Sequence, residues 1–318
     1  MFTNKHPRLV LNTKKCIYSS LFVMLTIGSH NNADAATIKK DLTYTKYTLK
    51  DTTYVNKKMH VIQWNKIDSA LNKIEAFENT NHKFGILTNY KNIKGLAPVV
   101  ENHSIDKYHE IQDAYGYERD QAIPLYLTAD LKTAVRYAHD GTWVGIENSD
   151  KKASYCNIIL PNGSWYIPNK YIKEIDATQF TKVIVIDRTN QNIVTLEEQN
   201  NIWYVRSINP ATTGLDYPPY KKATPLGYFV LQAKEEKMVY DKDKGTGVAG
   251  YAPYANRFSG GAYIHGVPVE LPRTKLIEYS PTLGTTPRSH MCVRNATSHA
   301  EFIYNWAPVD ATIIVVID

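Results

Sequence analysis

Of the residues able to do covalent chemistry, Cys292 has the most informative surroundings. It sits in Ser289-His290-Met291-Cys292-Val293-Arg294, just after the turn-rich run Gly284-Thr-Thr-Pro-Arg. A cysteine attacks as its thiolate, and a free thiol ionises near pH ~8.5, so a nucleophilic cysteine needs an imidazole or backbone dipoles beside it. His290 is two residues away, and His265 ends the β-prone run Ala262-Tyr-Ile-His, with Ser259-Gly-Gly before that run and Gly266 after it. A reactive thiol on a loop between rigid elements is a functional placement. Cys156 lies instead among Tyr, Ile and Leu, where cysteine behaves as a small, inert hydrophobe. The two could pair in an oxidising compartment, but their unlike surroundings favour one inert and one reactive thiol.

A metal centre is the competing chemistry. His290, Cys292 and His299 are candidate ligands, and His299-Ala-Glu301 has the form of half a zinc-deaminase motif, but the chain has no Cys-x-x-Cys to complete it. Ser298 with Glu301 three residues on also reads as a capping box opening a helix. No metal and no cofactor are expected. Taken singly, His265 reads as a hydrogen-bonded strand-end residue, Arg294 as a surface charge, and Tyr263 as packing or groove lining. Tyr251, Tyr254 and Phe258 read as core.

The elements that must position these residues are mostly strands. Lys182-Val-Ile-Val-Ile-Asp and Asn192-Ile-Val-Thr-Leu flank a hairpin turn, and Trp203-Tyr-Val-Arg-Ser-Ile and Tyr228-Phe-Val-Leu-Gln follow. The apolar, β-branched run Ala311–Ile317 suits a central strand. Phe302, Ile303 and Trp306 form one side of a helix that Pro308 stops. Upstream, short runs at 122–127, 141–146, 155–160 and 165–168, with Asn162-Gly163 between the last two, predict hairpins in a small bent barrel. Residues 36–118 show little periodicity apart from Ala70, Leu71, Ile74 and Phe77 at helical spacing. The fold class expected is mainly β.

The cysteine motif, with Tyr263-Ile264-His265-Gly266, Thr212-Thr213-Gly214 and Thr224-Pro225-x-Gly227 in order before it, resembles the L,D-transpeptidase catalytic domain over about residues 177–318. The resemblance implies a β-rich catalytic fold and ping-pong acyl transfer on peptidoglycan stem peptides. Cys292 corresponds to the nucleophile and His265 to the general base and acid. Ser289, His290, Met291 and Gly266 correspond to the oxyanion site and pocket, with the N–H groups of His290, Met291 and Cys292 as donors. Arg294 is the natural counter-charge for a substrate carboxylate or for fixing the loop, and Tyr263 is the candidate for lining the substrate groove. The family usually has Gly where this chain has Met291, so either φ is negative there or a thioether lines the pocket. An L,D-carboxypeptidase using the same thioester, or an inactive wall-binding protein, are the alternative outcomes. Residues 119–176 resemble bacterial SH3-like wall-targeting domains, which implies a wall-polymer contact.

Residues 1–35 read as an export signal: Lys5, Arg8, Lys14 and Lys15, then an apolar stretch to Gly28, then Ala33-Asp-Ala35. Their removal takes Cys16, four of the 37 basic residues and one of the 31 acidic ones, leaving a net charge of +3. That mild charge argues against nucleic-acid binding, and no later run is long and apolar enough to span a membrane. The expected order is signal (1–35), spacer or degenerate small domain (36–118), SH3-like domain (119–176) and catalytic domain (177–318). The expected location is secreted and wall-associated, in a bacterium of Gram-positive type.

Overall fold

The computed structural model describes residues 36–55, 57–242 and 246–318; the export signal lies outside the described residues. The chain is mainly β, with two α-helices, α1 (Trp64–Thr80) and α2 (Thr297–Trp306), among the described residues.

The centre is a six-stranded sheet in the order Ile38–Lys40, Ile202–Pro210, Asn192–Gln199, Lys182–Asp187, Ile313–Ile317, Gly227–Val230. Its strands read as nearly continuous apolar runs because both faces are covered. Val183, Val185 and Val315 point into one hydrophobic cluster, while Ile184, Ile186, Ile314 and Val316 point into another. Successive side chains alternate across a strand, so one β-branched run supplies two cores. The run at 311–317 is indeed central, parallel to Lys182–Asp187 on one side and antiparallel to Gly227–Val230 on the other.

The second cluster is closed by α2 and by a sheet built from Ala233–Asp241, Val248–Ser259, Ala262–His265 and Val293–Arg294. The first is closed by α1, whose Ile67, Leu71 and Ile74 are buried, and by Phe84, Ile86 and Trp143 of a seven-stranded sheet. Phe77, Phe84, Trp143 and Phe180 pack there as tilted and edge-on aromatic pairs.

The seven-stranded sheet takes six strands from residues 123–175, including the hairpin of Ala153–Ile158 and Gly163–Pro168. Its seventh, Phe84–Leu87, pairs with both Trp143–Ser149 and Ile172–Ile175 and so comes from the stretch read as spacer. That stretch also supplies Ile38–Lys40 to the central sheet, parallel to Ile202–Pro210. Much of residues 36–118 is therefore integral core, because its apolar residues are scattered over elements that pack against distant partners.

The start of α2 differs from the capping-box expectation. The helix begins at Thr297, and Ser298 caps nothing. Glu278 supplies the cap from another segment, accepting from the Ser298 N–H at 3.2 Å and the Ser298 hydroxyl at 2.5 Å, and a carboxylate there also complements the helix dipole.

Candidate active site

The site forms where two short parallel strands meet. Ala262–His265 pairs with Val293–Arg294 in the register Ile264↔Val293 and His265↔Arg294. Ile264 and Val293 enter the core, so alternation sends His265, Arg294 and Tyr263 to the opposite face. Cys292 is the residue just before Val293. Its thiol donates to the Gly261 carbonyl at 3.4 Å, in the two-glycine turn that precedes the histidine strand. Gly260 takes φ +48 in this turn, a conformation suited to glycine in tight hairpins.

His265 is buried, and its Nδ1 donates to the Gly266 carbonyl at 2.6 Å, which leaves Nε2 as the basic nitrogen. Gly266 is confined in turn: a Cβ there would lie 2.9 Å from both Pro253 Cγ and Thr297 Oγ1. Burial holds the imidazole pKa down to about 4, with the Arg294 charge pushing the same way and the Gly266 bond opposing. Burial raises the Cys292 thiol pKa, against the Tyr263 backbone N–H and Arg294. Both shifts favour neutral forms, so the resting pair is a thiol and an imidazole, not a thiolate and an imidazolium.

Met291 adopts φ +64. The option of a negative φ at this position is thereby overturned: the chain keeps the left-handed geometry that glycine adopts cheaply and places a methionine in it. The reason is visible in its contacts. The Met291 N–H donates to the Lys222 carbonyl at 3.1 Å, and its own carbonyl accepts from Thr224 Oγ1 at 2.7 Å. The Cys292 N–H closes a γ-turn onto the His290 carbonyl at 2.7 Å, and a γ-turn with positive φ at its centre is the strained form. The N–H groups of Met291 and Cys292, both expected as oxyanion donors, are thus already engaged, the first by the Lys222 carbonyl and the second within the loop. The Met291 side chain packs partly against the core and also lines a cleft.

The other motif pieces converge on the same loop. Thr212 exchanges backbone hydrogen bonds with Arg294 at 2.9 and 2.8 Å. Gly214 donates to Thr224 Oγ1 at 2.8 Å, and a Cβ on it would lie 2.7 Å from the Met291 nitrogen. Ser289 is buried and donates to the Cys292 carbonyl, so it clamps the loop and does not face the pocket. His290 is exposed, edge-on to Tyr220 at 5.6 Å. Arg294 Nε is buried without a hydrogen-bond partner among the described residues. Tyr263 is tied up: its hydroxyl donates to Glu235 at 3.0 Å and meets the Tyr90 hydroxyl at 3.2 Å. His299 is distant from metal chemistry, buried between Ser207 and Asn295, and the described residues contain no group of three or more potential metal ligands.

The wall opposite the motif carries no signal in the sequence. A cleft of about 830 Å³ opens beside Met291 and Gly260, lined on one side by Lys221, Lys222 and Thr224 and on the other by Tyr117, Glu118 and Asp120. Lys222 bridges the sides, with its ammonium 2.7 Å from Glu118 and its carbonyl on Met291. Nothing in the local sequence around Glu118 or Asp120 signals this role, because the partner lies a hundred residues away.

Residues 181–316 match the family described as YkuD, the L,D-transpeptidase catalytic domain. The chain carries an L,D-transpeptidase catalytic domain. It is similar in structure to the L,D-transpeptidase from Mycobacterium smegmatis, at 19% identity over 55% of this chain and 82% of that one, with TM-score 0.36. L,D-transpeptidase 3 from Mycobacterium tuberculosis is similar at 17% identity over 55% and 78%, TM-score 0.36. An L,D-transpeptidase from Xylanimonas cellulosilytica is similar at 20% identity over 45% and 63%, TM-score 0.30. No curated protein matches the chain.

Proposed function

We propose that this protein is a peptidoglycan L,D-transpeptidase working through a Cys292 thioester. The observation that carries this reading is the pairing, inside an L,D-transpeptidase domain, of the strand that follows Cys292 with the strand that ends at His265, with His265 Nδ1 given to Gly266 and Nε2 left basic.

In this scheme His265 Nε2 takes the thiol proton as Cys292 Sγ attacks the carbonyl of the third stem-peptide residue. The developing oxyanion takes over the Cys292 N–H, exchanging a bent γ-turn bond for a charge-assisted one. His265 then protonates the departing amine of D-alanine, and the thioester remains. An acceptor amine attacks it, giving its proton to His265, and the thiol is restored. The neutral resting pair suits this, because the proton moves only as substrate closes the site. Arg294 is the counter-charge for a substrate carboxylate, and the cleft between Lys222 and Glu118 is the approach for a stem peptide.

The export signal read at residues 1–35 supports work outside the cell, at the wall, and the SH3-like reading of residues 119–176 supports a wall-polymer contact. The test is incubation of the mature protein with a disaccharide-tetrapeptide, followed by mass spectrometry. Release of D-alanine with formation of a dimer supports transfer. Release with water alone as acceptor makes it a carboxypeptidase, and no release in any condition defeats the reading.

A further inference from the structure

We propose that Asp140, which lies outside the catalytic domain in the turn before strand Trp143–Ser149, is a positioning residue for the nucleophile. This inference rests on the assignment of Cys292 above. Asp140 is buried, and four groups reach it, all donors. Its Oδ2 accepts from the Gly260 N–H at 2.9 Å, Arg257 Nη1 at 2.9 Å and Gln232 Nε2 at 2.8 Å; its Oδ1 accepts from the Asn89 N–H at 2.6 Å. An ionised carboxylate is acceptor-only and satisfies all four, whereas an amide presents an NH₂ to at least one donor whichever way it is turned.

What this carboxylate holds is the Gly260-Gly261 turn. Gly260 is bound by Asp140, and the neighbouring Gly261 carbonyl is the acceptor of the Cys292 thiol. The same turn leads into Tyr263, whose backbone N–H acts on the thiol, and then into His265. Arg257 carries the coupling a second way: it ion-pairs with Asp140 at 2.9 Å and lies 4.3 Å over the Tyr90 ring, whose hydroxyl meets Tyr263.

The docking is close. Gly141 has φ +85, and a Cβ there would fall 1.7 Å from the Phe258 carbonyl oxygen, while its own carbonyl accepts from the Val230 N–H at 3.0 Å. The upstream sheet therefore buttresses the turn behind the thiol and is a working part of the site. Displacement of reacting groups by about an ångström can cost ~100-fold in rate.

The experiment uses the mature full-length chain in a Cys156→Ser background, so that Cys292 is the sole thiol. Two rates are measured across pH: alkylation of Cys292 by iodoacetamide and acylation by a carbapenem. Asp140→Asn is expected to keep a cooperative melt, to lose roughly 100-fold in acylation, and to shift the alkylation pH profile. Ile158→Ala, buried in the upstream sheet away from this turn, is the stability control, and its acylation rate per folded molecule is expected to match the parent's.

Because Asp140→Asn could fail to fold, two further variants accompany it. Asp140→Ala is assayed with and without formate, which can enter because Asp140 lines the cleft, and formate, but not chloride, is expected to restore much of the lost rate. Gln232→Ala keeps the carboxylate and removes one donor, and a severalfold loss is expected. Acylation by folded Asp140→Asn within about twofold of the parent, or losses that track melting temperature equally in Ile158→Ala, would overturn the proposal. If the parent itself is not acylated, the transpeptidase reading fails, while the alkylation profiles still decide the role of Asp140.

Discussion

Cys156 and Cys292 are the same chemical group in two strand-rich settings, and the settings separate them. Cys156 is fully buried in the upstream sheet among Leu125, Ile146, Ile158 and Ile167. Burial there drives its thiol up to about 12, and Glu147 adds to the shift. Cys292 is also pushed up by burial, but a backbone N–H and a guanidinium oppose the push, and its thiol has a polar acceptor at a glycine turn. Desolvation alone makes a cysteine inert. The setting we propose for a nucleophile surrounds the same desolvated sulfur with dipoles fixed elsewhere in the fold.

Four perturbations sharpen or break this contrast. The largest effect is expected from His265→Asn, which removes the imidazole proposed as base and acid for Cys292. Loss of general acid–base catalysis is worth ~10²–10⁴-fold, so turnover should fall by about that factor with the melting temperature nearly unchanged. Next, iodoacetamide should label Cys292 at least ~100-fold faster than Cys156 at pH 8, because little of the buried thiol is ionised; mass spectrometry of tryptic peptides reads the ratio, and comparable labelling of native protein would erase the contrast. Third, Trp143→Ala opens the aromatic cluster joining the upstream and central sheets and should cost about 3–5 kcal/mol; denaturant unfolding by two probes should still coincide, since both sheets share that core. The smallest change is Tyr263→Phe. It strips one hydroxyl from Glu235 and Tyr90, costing about 1 kcal/mol; an acylation rate within about threefold of wild type would show that the hydroxyl packs and does not bind substrate.

The pH response follows from the same burial. His265 and His139 are held down to about 4 and His299 to about 3. Unfolded histidines bind protons below about 6.5 while these do not, so their contribution is fully present above that pH and is lost as pH falls towards 4. Glu78 runs the other way: burial raises it to about 7, so its contribution is present below about 4.5 and is lost as pH rises through 7. Glu78→Gln should therefore flatten the loss of stability between pH 5 and 8, and an unchanged slope would remove Glu78 from the account.

The legible parts of this chain were those whose signal is local. Lys182–Asp187, Asn192–Gln199 and Ile313–Ile317 announce themselves as β-branched runs, the Asn162-Gly163 hairpin as turn chemistry, and α1 by the spacing of Ala70, Leu71 and Ile74. The motif around Cys292 is contiguous, and His265 was recoverable because glycine turns bracket its strand. The residues that hold the site together were not legible. Asp140 binds Gly260 across 120 positions, Glu118 binds Lys222 across about a hundred, and Glu278 caps a helix that begins nearly twenty residues later. A single carboxylate in a turn carries no periodicity, and its partner is chosen only by the finished fold. Met291 shows the converse: its type was plainly unusual in the motif, but only backbone geometry shows that the loop keeps a positive φ beneath it.

Cys292 is the residue proposed here to carry the acyl group. The most direct test is intact-mass analysis of the mature protein after exposure to a carbapenem, with peptide mapping of the adduct. One adduct per chain on Cys292, retained in Cys156→Ala and absent in Cys292→Ala, is the result expected. An adduct that persists in Cys292→Ala, or that maps to Cys156, would contradict it.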